Sequence, residues 1–506
     1  MRLELNRESF NRALDARDAR FDGVFFVGVA TTGIYCRPIC PARRTLYRNR
    51  RFFTSAAAAE RAGFRPCLRC RPELSPGRAR VDAVPRLVAA AAERISAGAL
   101  NGVSVDRLAA ELGVSGRQLR RALQQELGVS PIELAQTRRL LLAKQLLTET
   151  RLSMSTVAHA SGFQSLRRFN ALFRERYRLN PEAIRRKVNG NGTRRIGAIA
   201  SQEMLRLSLS YRPPIDWAAL IGFLAPRATP GVEHVEHGRY SRTVKLGEHT
   251  GVIRAWHEPA ARPDPAVRLE ISASLLPVLM PLSARVRQLF DLDCEPAAIE
   301  MHLRTTGFDA LDSGRNGLRV PGAFDGFELV LRAILGQQVT VKGATTLSAR
   351  LTSAFGETVD TGVPGLTRLT PTADRIAQAS VASIRDIGLP VARASTIHRL
   401  ARAVADGSLR IAADADVRNV ISQLTSLPGI GPWTAEYVAM RALHWPDAFP
   451  AGDLALRKAM GGVTEGRLRK LAEPWRPWRS YAAMHLWMSV AQTRGAVSRT
   501  ARALPA

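Results

Sequence analysis

Cysteine is scarce, with five residues in a chain of 506. That number excludes a disulfide-stapled secreted framework and points to a reducing, cytosolic setting. No stretch approaches the ~18 apolar residues that a membrane-spanning helix needs. The opening residues, MRLELNRESF, have no apolar core of a secretion signal. Acidic residues are also short: 44 Asp+Glu face 73 Lys+Arg, a formal net charge of +29. The deficit is uneven. Residues 1–190 hold 35 Lys+Arg and 16 Asp+Glu, and the remainder holds 38 and 28. Both halves are basic, the first intensely so, and polyanion binding follows because each phosphate contact releases counterions. What is present is otherwise globular, at 46% hydrophobic and 23% charged residues. At this length three or four domains are expected.

The chain reads as a succession of regions. Residues 1–78 bear arginine and cysteine with little helical periodicity. Residues 82–188 have helical patterning broken by short Gly-containing turns. The Asn/Gly-rich run 189–201, NGNGTRRIGAIAS, reads as a linker. After it, MLRLSLSY alternates with the period of a strand. SRTVKLGEHTGVIRAW reads as two strands around a Gly-containing turn. From about residue 283 helical patterning dominates again. There is no long internal repeat.

Four of the five cysteines, Cys36, Cys40, Cys67 and Cys70, fall within 35 residues. C-x3-C followed by C-x2-C can supply four sulfurs to one tetrahedral ion, and an all-sulfur set selects zinc. Zinc then contributes on the order of 10 kcal/mol to folding so small a region. The spacing leaves two readings open, an ion that only holds the fold or one whose ligand also reacts.

The words around the pairs, FVGVATTGIYCRPICPAR and AAAAERAGFRPCLRCRPE, closely resemble the amino-terminal domain of the Ada methylation-response proteins. The resemblance implies one Zn2+ on the four cysteines. It also implies that Cys36 takes a methyl group from an alkylated DNA phosphate. Four thiolates on Zn2+ leave a net negative cluster, so a bound sulfur keeps nucleophilic character. Methylation removes one negative charge, and Arg37, Arg43 and Arg44 are then expected to approach phosphate.

SVDRLAAELGVSGRQLRRALQQELG, 104–128, has the shape of a helix-turn-helix. Ser104 caps the first helix, and Leu108, Ala109 and Leu112 form its buried face. The second helix carries Arg117, Gln118, Arg120 and Arg121, side chains that read guanine and adenine edges. A second copy begins at STVAHASGFQS, with Gln164, Arg167 and Arg168 on its second helix. Two such units joined by a long apolar helix near 131–148 resemble the AraC family of transcription activators.

LPGIG, 427–431, interrupts two helical patterns. Gly429 and Gly431 permit a tight turn whose backbone N–H groups face a phosphate, with Pro432 in the first turn of the next helix. This is a helix-hairpin-helix signature. Downstream, Asp453 stands before LALRKAM, where a plain helix cap is the alternative reading. Hairpin and aspartate together resemble the helix-hairpin-helix DNA glycosylases, most closely the AlkA type of 3-methyladenine-DNA glycosylase, over about 202–495. YRPPIDWAALIGFLAPRA, GLRVPGAFDGFELVLRAILGQQVT and PWRPWRSYAAMHLW match that family's words in order. The resemblance implies Asp453 as catalytic aspartate. It implies Trp433, Tyr437, Trp487 and Phe223 as the base pocket. A base alkylated on a ring nitrogen is cationic, so aromatic faces attract it. The target is first flipped from the duplex.

Three departures carry consequences. Bifunctional relatives have a lysine where this chain has Trp433, so no strand cleavage is expected. The position that wedges into the gap left by the flipped base is Gln338 rather than an apolar residue. Met488 follows Trp487 in place of an aromatic residue. Cys294 reads as buried packing. No Pro-Cys-His-Arg word occurs, so no O6-methylguanine repair is expected.

The expected fold is multidomain and mainly α with an α+β domain. A small zinc domain (1–78) leads to an AraC-like helical DNA-binding domain (82–188) and a linker (189–201). A TBP-like antiparallel-sheet domain (202–318) and a helix-hairpin-helix glycosylase α domain (319–495) follow. The expected function is a monofunctional glycosylase for alkylated bases fused to a methyl-sensing regulator. The alternative is an activator whose glycosylase half is only a DNA-binding scaffold. Expected partners are double-stranded DNA carrying alkylated bases, methylated phosphates and promoter sequence, together with RNA polymerase. The chain is expected to be a cytoplasmic monomer with no membrane contact.

Overall fold

The structure, a computed structural model, describes residues 7–43, 45–76, 86–189, 204–258 and 265–502. Nearly all of the linker expected at 189–201 lies outside them. The chain divides into two compact units, Met1–Arg212 with Val244–Arg287, and Pro213–Thr243 with Gln288–Ala506. No helix among the described residues is long and apolar enough to cross a membrane.

The first unit opens on a four-stranded sheet in the order Arg50–Phe53, Phe26–Val29, Ile34–Cys36, Arg65–Pro66. Its last pairing is parallel and sets Tyr35 against Pro66. That register brings Cys36 and Cys67, each one residue further on, side by side. Gly28 is required in this sheet, since a Cβ there would lie 2.8 Å from the Phe64 ring. The helices that follow carry the expected signals. Ser104, Ser115, Ser153 and Ser165 each cap a helix of the two helix-turn-helix units, accepting a backbone N–H of the first turn. Leu108 and Ala109 are buried as expected, but Leu112 ends its helix and is only half-buried. The joining helix, Pro131–Glu149, has eleven buried residues, the polar Thr137, Lys144 and Gln145 among them.

Three antiparallel strands complete this unit, with Met204–Ser210 and His249–His257 on either side of Ala266–Ser272. Met204–Ser210 is the strand expected from MLRLSLSY. Arg239–Leu246 and His249–His257 are the two strands expected around the turn at Gly247.

Zinc region and long helix share one buried polar cluster. Glu60 accepts from Tyr35 Oη (3.1 Å) and Thr137 Oγ1 (2.9 Å). Burial pushes its carboxyl from 4.5 up to about 7, against the pull of Thr137 and Tyr35. The folded form therefore keeps a proton that the unfolded chain has released between those values. Stability falls as pH rises through that window, by roughly 3 kcal/mol once complete. Glu60→Gln is expected to flatten this slope between about pH 4.5 and 7, and melting curves across pH check it.

The second unit is mostly helical. Its strands Glu233–Glu236 and Arg239–Leu246 pair antiparallel, with Glu233 opposite Arg242. Helices Gly326–Leu335, Val391–Ala405, Val417–Ser426 and Pro432–Arg441 frame the hairpin, and Arg479–Arg502 closes the chain's described part. Cys294 is buried as expected, yet it sits in a polar pocket, its sulfur accepting from Arg319 Nη1 at 2.7 Å.

Candidate functional site

Two centres emerge, one in each unit. In the first, the sulfurs of Cys36, Cys40, Cys67 and Cys70 all lie within 4.8 Å of one another, and all four residues are buried. Tetrahedral zinc–sulfur bonds of 2.3 Å put sulfurs about 3.8 Å apart, so the cluster fits one ion. Proximity to Cys40 and Cys67 pushes the Cys36 thiol well above its ordinary value, while Cys67, accepting from Cys36, Cys40 and Cys70, is held well below it. Four sulfurs this close ionise together only around a cation.

The four are not equivalent. Cys67 accepts from the Arg69 backbone N–H and Cys70 from that of Arg37, each at 3.3 Å. Cys36 and Cys40 have no backbone donor among the described residues, so their lone pairs are the least drawn off.

Arg37 does not face solvent. Its guanidinium is fully buried, ion-paired with Asp22 and bonded to the Cys70 carbonyl at 2.9 Å. It braces the cysteine loops from within, which corrects its expected contact with phosphate. The pairing needs Asp22, which no cysteine motif flagged. Arg43 is exposed, and Arg44 lies outside the described residues.

On the helix-turn-helix units, Arg117, Arg120, Arg121, Gln164, Arg167 and Arg168 are all exposed. Arg120 pairs with Asp106 at 3.2 Å, an exposed pair that DNA phosphate can displace at little cost. Gln118 is exposed as well, and its side-chain oxygen closes a capping box on the Ser115 backbone N–H at 2.9 Å. As the third residue of its helix it serves the helix start.

The second centre is built on the hairpin. Gly429 has φ +92°, and a Cβ there would lie 2.3 Å from Thr396 Oγ1. The same hydroxyl donates to the Pro428 carbonyl at 2.8 Å and so pins the turn. Gly431 is exposed and begins the helix Pro432–Arg441. On that helix Trp433, Tyr437 and Arg441 recur every fourth residue and share a face. Trp433 and Tyr437 stack, with centroids 5.5 Å apart and planes 12° apart. Trp487 lies 6.3 Å from Tyr437 and stacks on Phe223 at 6.2 Å. The four aromatic residues expected at the pocket are thus brought together.

Asp453 caps the helix Leu454–Ala459. Its Oδ1 accepts from the backbone N–H of Ala455 (2.9 Å) and Leu456 (3.0 Å). Oδ1 also accepts from Trp487 Nε1 at 3.1 Å, and Oδ2 from Trp433 Nε1 at 3.2 Å. Cap and aromatic cluster are one construction. Four N–H donors fix the plane of the carboxylate against the pocket.

Gln338 is exposed on the loop before the helix Val341–Phe355, at a left-handed φ of +56°. Val339 and Val341 beside it are 41% and 42% exposed. Met488 is half-buried. Two neighbours escaped sequence reasoning. Gln337 donates to the Gly429 carbonyl (3.0 Å) and Thr434 Oγ1 (3.3 Å), tying the Gln338 loop to the hairpin. Arg441 donates to the Tyr437 hydroxyl at 2.6 Å. Its four-residue spacing from Tyr437 was the available signal. Burial raises the Tyr437 hydroxyl, but Arg441 and Arg227 draw it net below its ordinary value.

Comparison with known proteins supplies four family matches along the chain. Residues 9–73 match the metal binding domain of Ada, and 108–187 a helix-turn-helix domain. Residues 206–325 match the AlkA N-terminal domain, and 331–463 the HhH-GPD superfamily of base excision DNA repair proteins. The chain is 40% identical over 487 residues to the probable bifunctional transcriptional activator/DNA repair enzyme AlkA of Mycobacterium tuberculosis, covering 95% of each. It is 37% identical over 280 residues to DNA-3-methyladenine glycosylase 2 of Escherichia coli, covering 55% of this chain and 96% of that one. Over 58 residues it is 55% identical to the bifunctional transcriptional activator/DNA repair enzyme Ada of Escherichia coli, 12% of this chain and 16% of that one. The chain belongs to the family of bifunctional transcriptional activator/DNA repair enzymes of the AlkA type, and its four-cysteine site is a zinc site.

Proposed function

We propose, on the premise of that membership, that this chain is a monofunctional DNA glycosylase for alkylated bases of the 3-methyladenine and 7-methylguanine type, joined to a regulator that accepts methyl groups from DNA. The observation that carries the glycosylase reading is the Asp453 carboxylate, aimed by two backbone and two indole N–H groups. Breaking an N-glycosidic bond builds positive charge on the sugar. A fixed carboxylate stabilises that charge and orients the attacking water. Trp433, Tyr437, Trp487 and Phe223 receive the flipped base, and the Gly429–Gly431 turn holds the backbone. Trp433 offers no amine for a Schiff base, so the product is an abasic site in an intact strand. Purified protein incubated with duplex DNA containing 7-methylguanine is expected to release the free base without nicking the strand. Absence of released base sinks the reading.

The regulator reading assigns methyl acceptance to Cys36. Bound zinc keeps the sulfurs ionised at neutral pH. The Cys36 sulfur then forms a bond to the methyl carbon as the carbon–oxygen bond breaks, and the electron pair stays on the phosphate oxygen. Its lack of a backbone N–H donor among the described residues supports this choice over Cys67 and Cys70, because each such bond draws down a sulfur's nucleophilicity. Mass spectrometry after exposure to methylphosphotriester DNA is expected to find one added methyl, on Cys36. An unmodified Cys36 leaves only a fold-holding zinc site. The exposed arginines of the two helix-turn-helix units then engage promoter DNA, with RNA polymerase as partner, in a cytoplasmic monomer.

A further inference from the structure

The first unit brings together two parts of the chain that the run 189–201 separates. The helix Pro131–Glu149 lies before that run, in the helix-turn-helix region, and the strand Met204–Ser210 lies after it. The strand stands at the edge of its sheet, beside Ala266–Ser272. Its outer edge is not left to water. Both main-chain groups of Ser208 bond to the long helix. The N–H donates to Glu149 Oε2 at 3.0 Å, and the carbonyl accepts from Gln145 Nε2 at 2.8 Å. Gln145 also donates to Glu149 Oε2 at 2.9 Å, which locks the two side chains to each other.

Burial agrees. MLRLSLSY alternates, and an edge strand with one solvated face keeps its serines wet. Instead Ser208 and Ser210 are 7% and 3% exposed, as dry as Leu207 and Leu209 on the other face. Two further contacts join the same parts. Arg212, buried just past the strand, donates Nε to the Asp22 carbonyl at 3.1 Å. Asn101 donates Nδ2 to Met280 Sδ at 3.3 Å, and Arg139 of the long helix holds Asn101 Oδ1 at 2.8 Å. The zinc region takes part through Arg71, which follows Cys70 at a left-handed φ of +51° and pairs with Glu149 at 3.0 Å.

We infer that the edge strand Met204–Ser210 is a docking surface whose partner is the helix-turn-helix region of the same chain. Gln145 and Glu149 recognise the strand by its main chain, the groups that an uncovered edge offers to any passing strand. The regulator and the strand domain are then one body through contacts as well as through the peptide chain. A rearrangement at Cys70 reaches the strand through Arg71 and Glu149, a continuous set of packed polar groups. The inference is independent of which bases the protein releases.

A protease site placed within 189–201 lets the folded full-length chain be cut between the two parts. At micromolar concentration the cut protein is expected to leave a gel-filtration column as one species of the size of the uncut chain. Gln145→Ala with Glu149→Ala is expected to weaken association of the cut pieces about 10- to 100-fold, the loss of two buried hydrogen bonds. Ser208→Pro removes only the strand's outward donor, at an edge where a sheet tolerates proline, and is expected to weaken association about 10-fold. Zinc content checks that the first unit stays folded in each variant. The uncut chain gives a second reading. Its Ser208 amide is expected to exchange slowly, and Glu149→Ala is expected to speed that amide while those of Ala266–Ser272 hold. Cut pieces that separate, variants that associate as tightly as the unsubstituted protein, or a Ser208 amide that exchanges as fast as open chain overturn the inference.

Discussion

Asp453→Asn is expected to lower the single-turnover rate of 7-methylguanine release by about 1000-fold or more, with DNA binding retained. Two effects act together. The first is loss of the charge that faces the developing sugar cation, beside Trp433, Tyr437 and Trp487. The second is local and peculiar to this geometry. The carboxylate is acceptor-only and serves four N–H donors, Ala455, Leu456, Trp433 and Trp487. An amide supplies one acceptor oxygen and one NH2. If the oxygen keeps the helix cap, as asparagine does well, the NH2 faces the Trp433 indole N–H, donor against donor. The cost in stability is about 1–2 kcal/mol, visible as a small fall in melting temperature. A folded, DNA-binding variant with no release separates enzyme from scaffold. A variant that keeps its rate removes Asp453 from the chemistry.

The sequence disclosed chemistry where a residue type has few uses, and hid it where partners come from far along the chain. Four clustered cysteines announced their ion, and LPGIG announced its turn, because only glycine tolerates the φ and contact found at Gly429. Trp433, Tyr437 and Trp487 were legible as a set. Their indole bonds to Asp453 span 20 and 34 residues and were not. Arg37 misled because a basic residue beside a reactive cysteine reads as a phosphate contact. Its partner, Asp22, lies on a different loop.

Chelation of zinc is expected to destabilise far more than the cysteine loops. Losing the ion removes on the order of 10 kcal/mol from its site, more than enough to open residues 36–70. The damage then has a defined route inside the first unit. Lys144, buried in the long helix Pro131–Glu149, donates to the Cys67 carbonyl at 3.0 Å and pairs with buried Glu73. Arg71 donates to Thr148 Oγ1 (2.9 Å) and pairs with Glu149 (3.0 Å) near the end of that helix. Glu149 in turn accepts the Ser208 backbone N–H of the strand Met204–Ser210 at 3.0 Å. When the Cys67–Cys70 loop opens, Lys144 loses its carbonyl partner and its paired acid in a site that water does not reach. An unpaired buried ammonium is strongly destabilising, by about 3–5 kcal/mol. Hydrogen exchange is therefore expected to accelerate along Pro131–Glu149 as well as around the cysteines. Lys144→Met discriminates this route from general unfolding. With no ammonium left to strand, the apo variant is expected to keep more protection on that helix than the apo form of the unsubstituted protein. Equal exchange in the two apo proteins breaks the proposed link between the zinc site and the helix that joins the DNA-binding units.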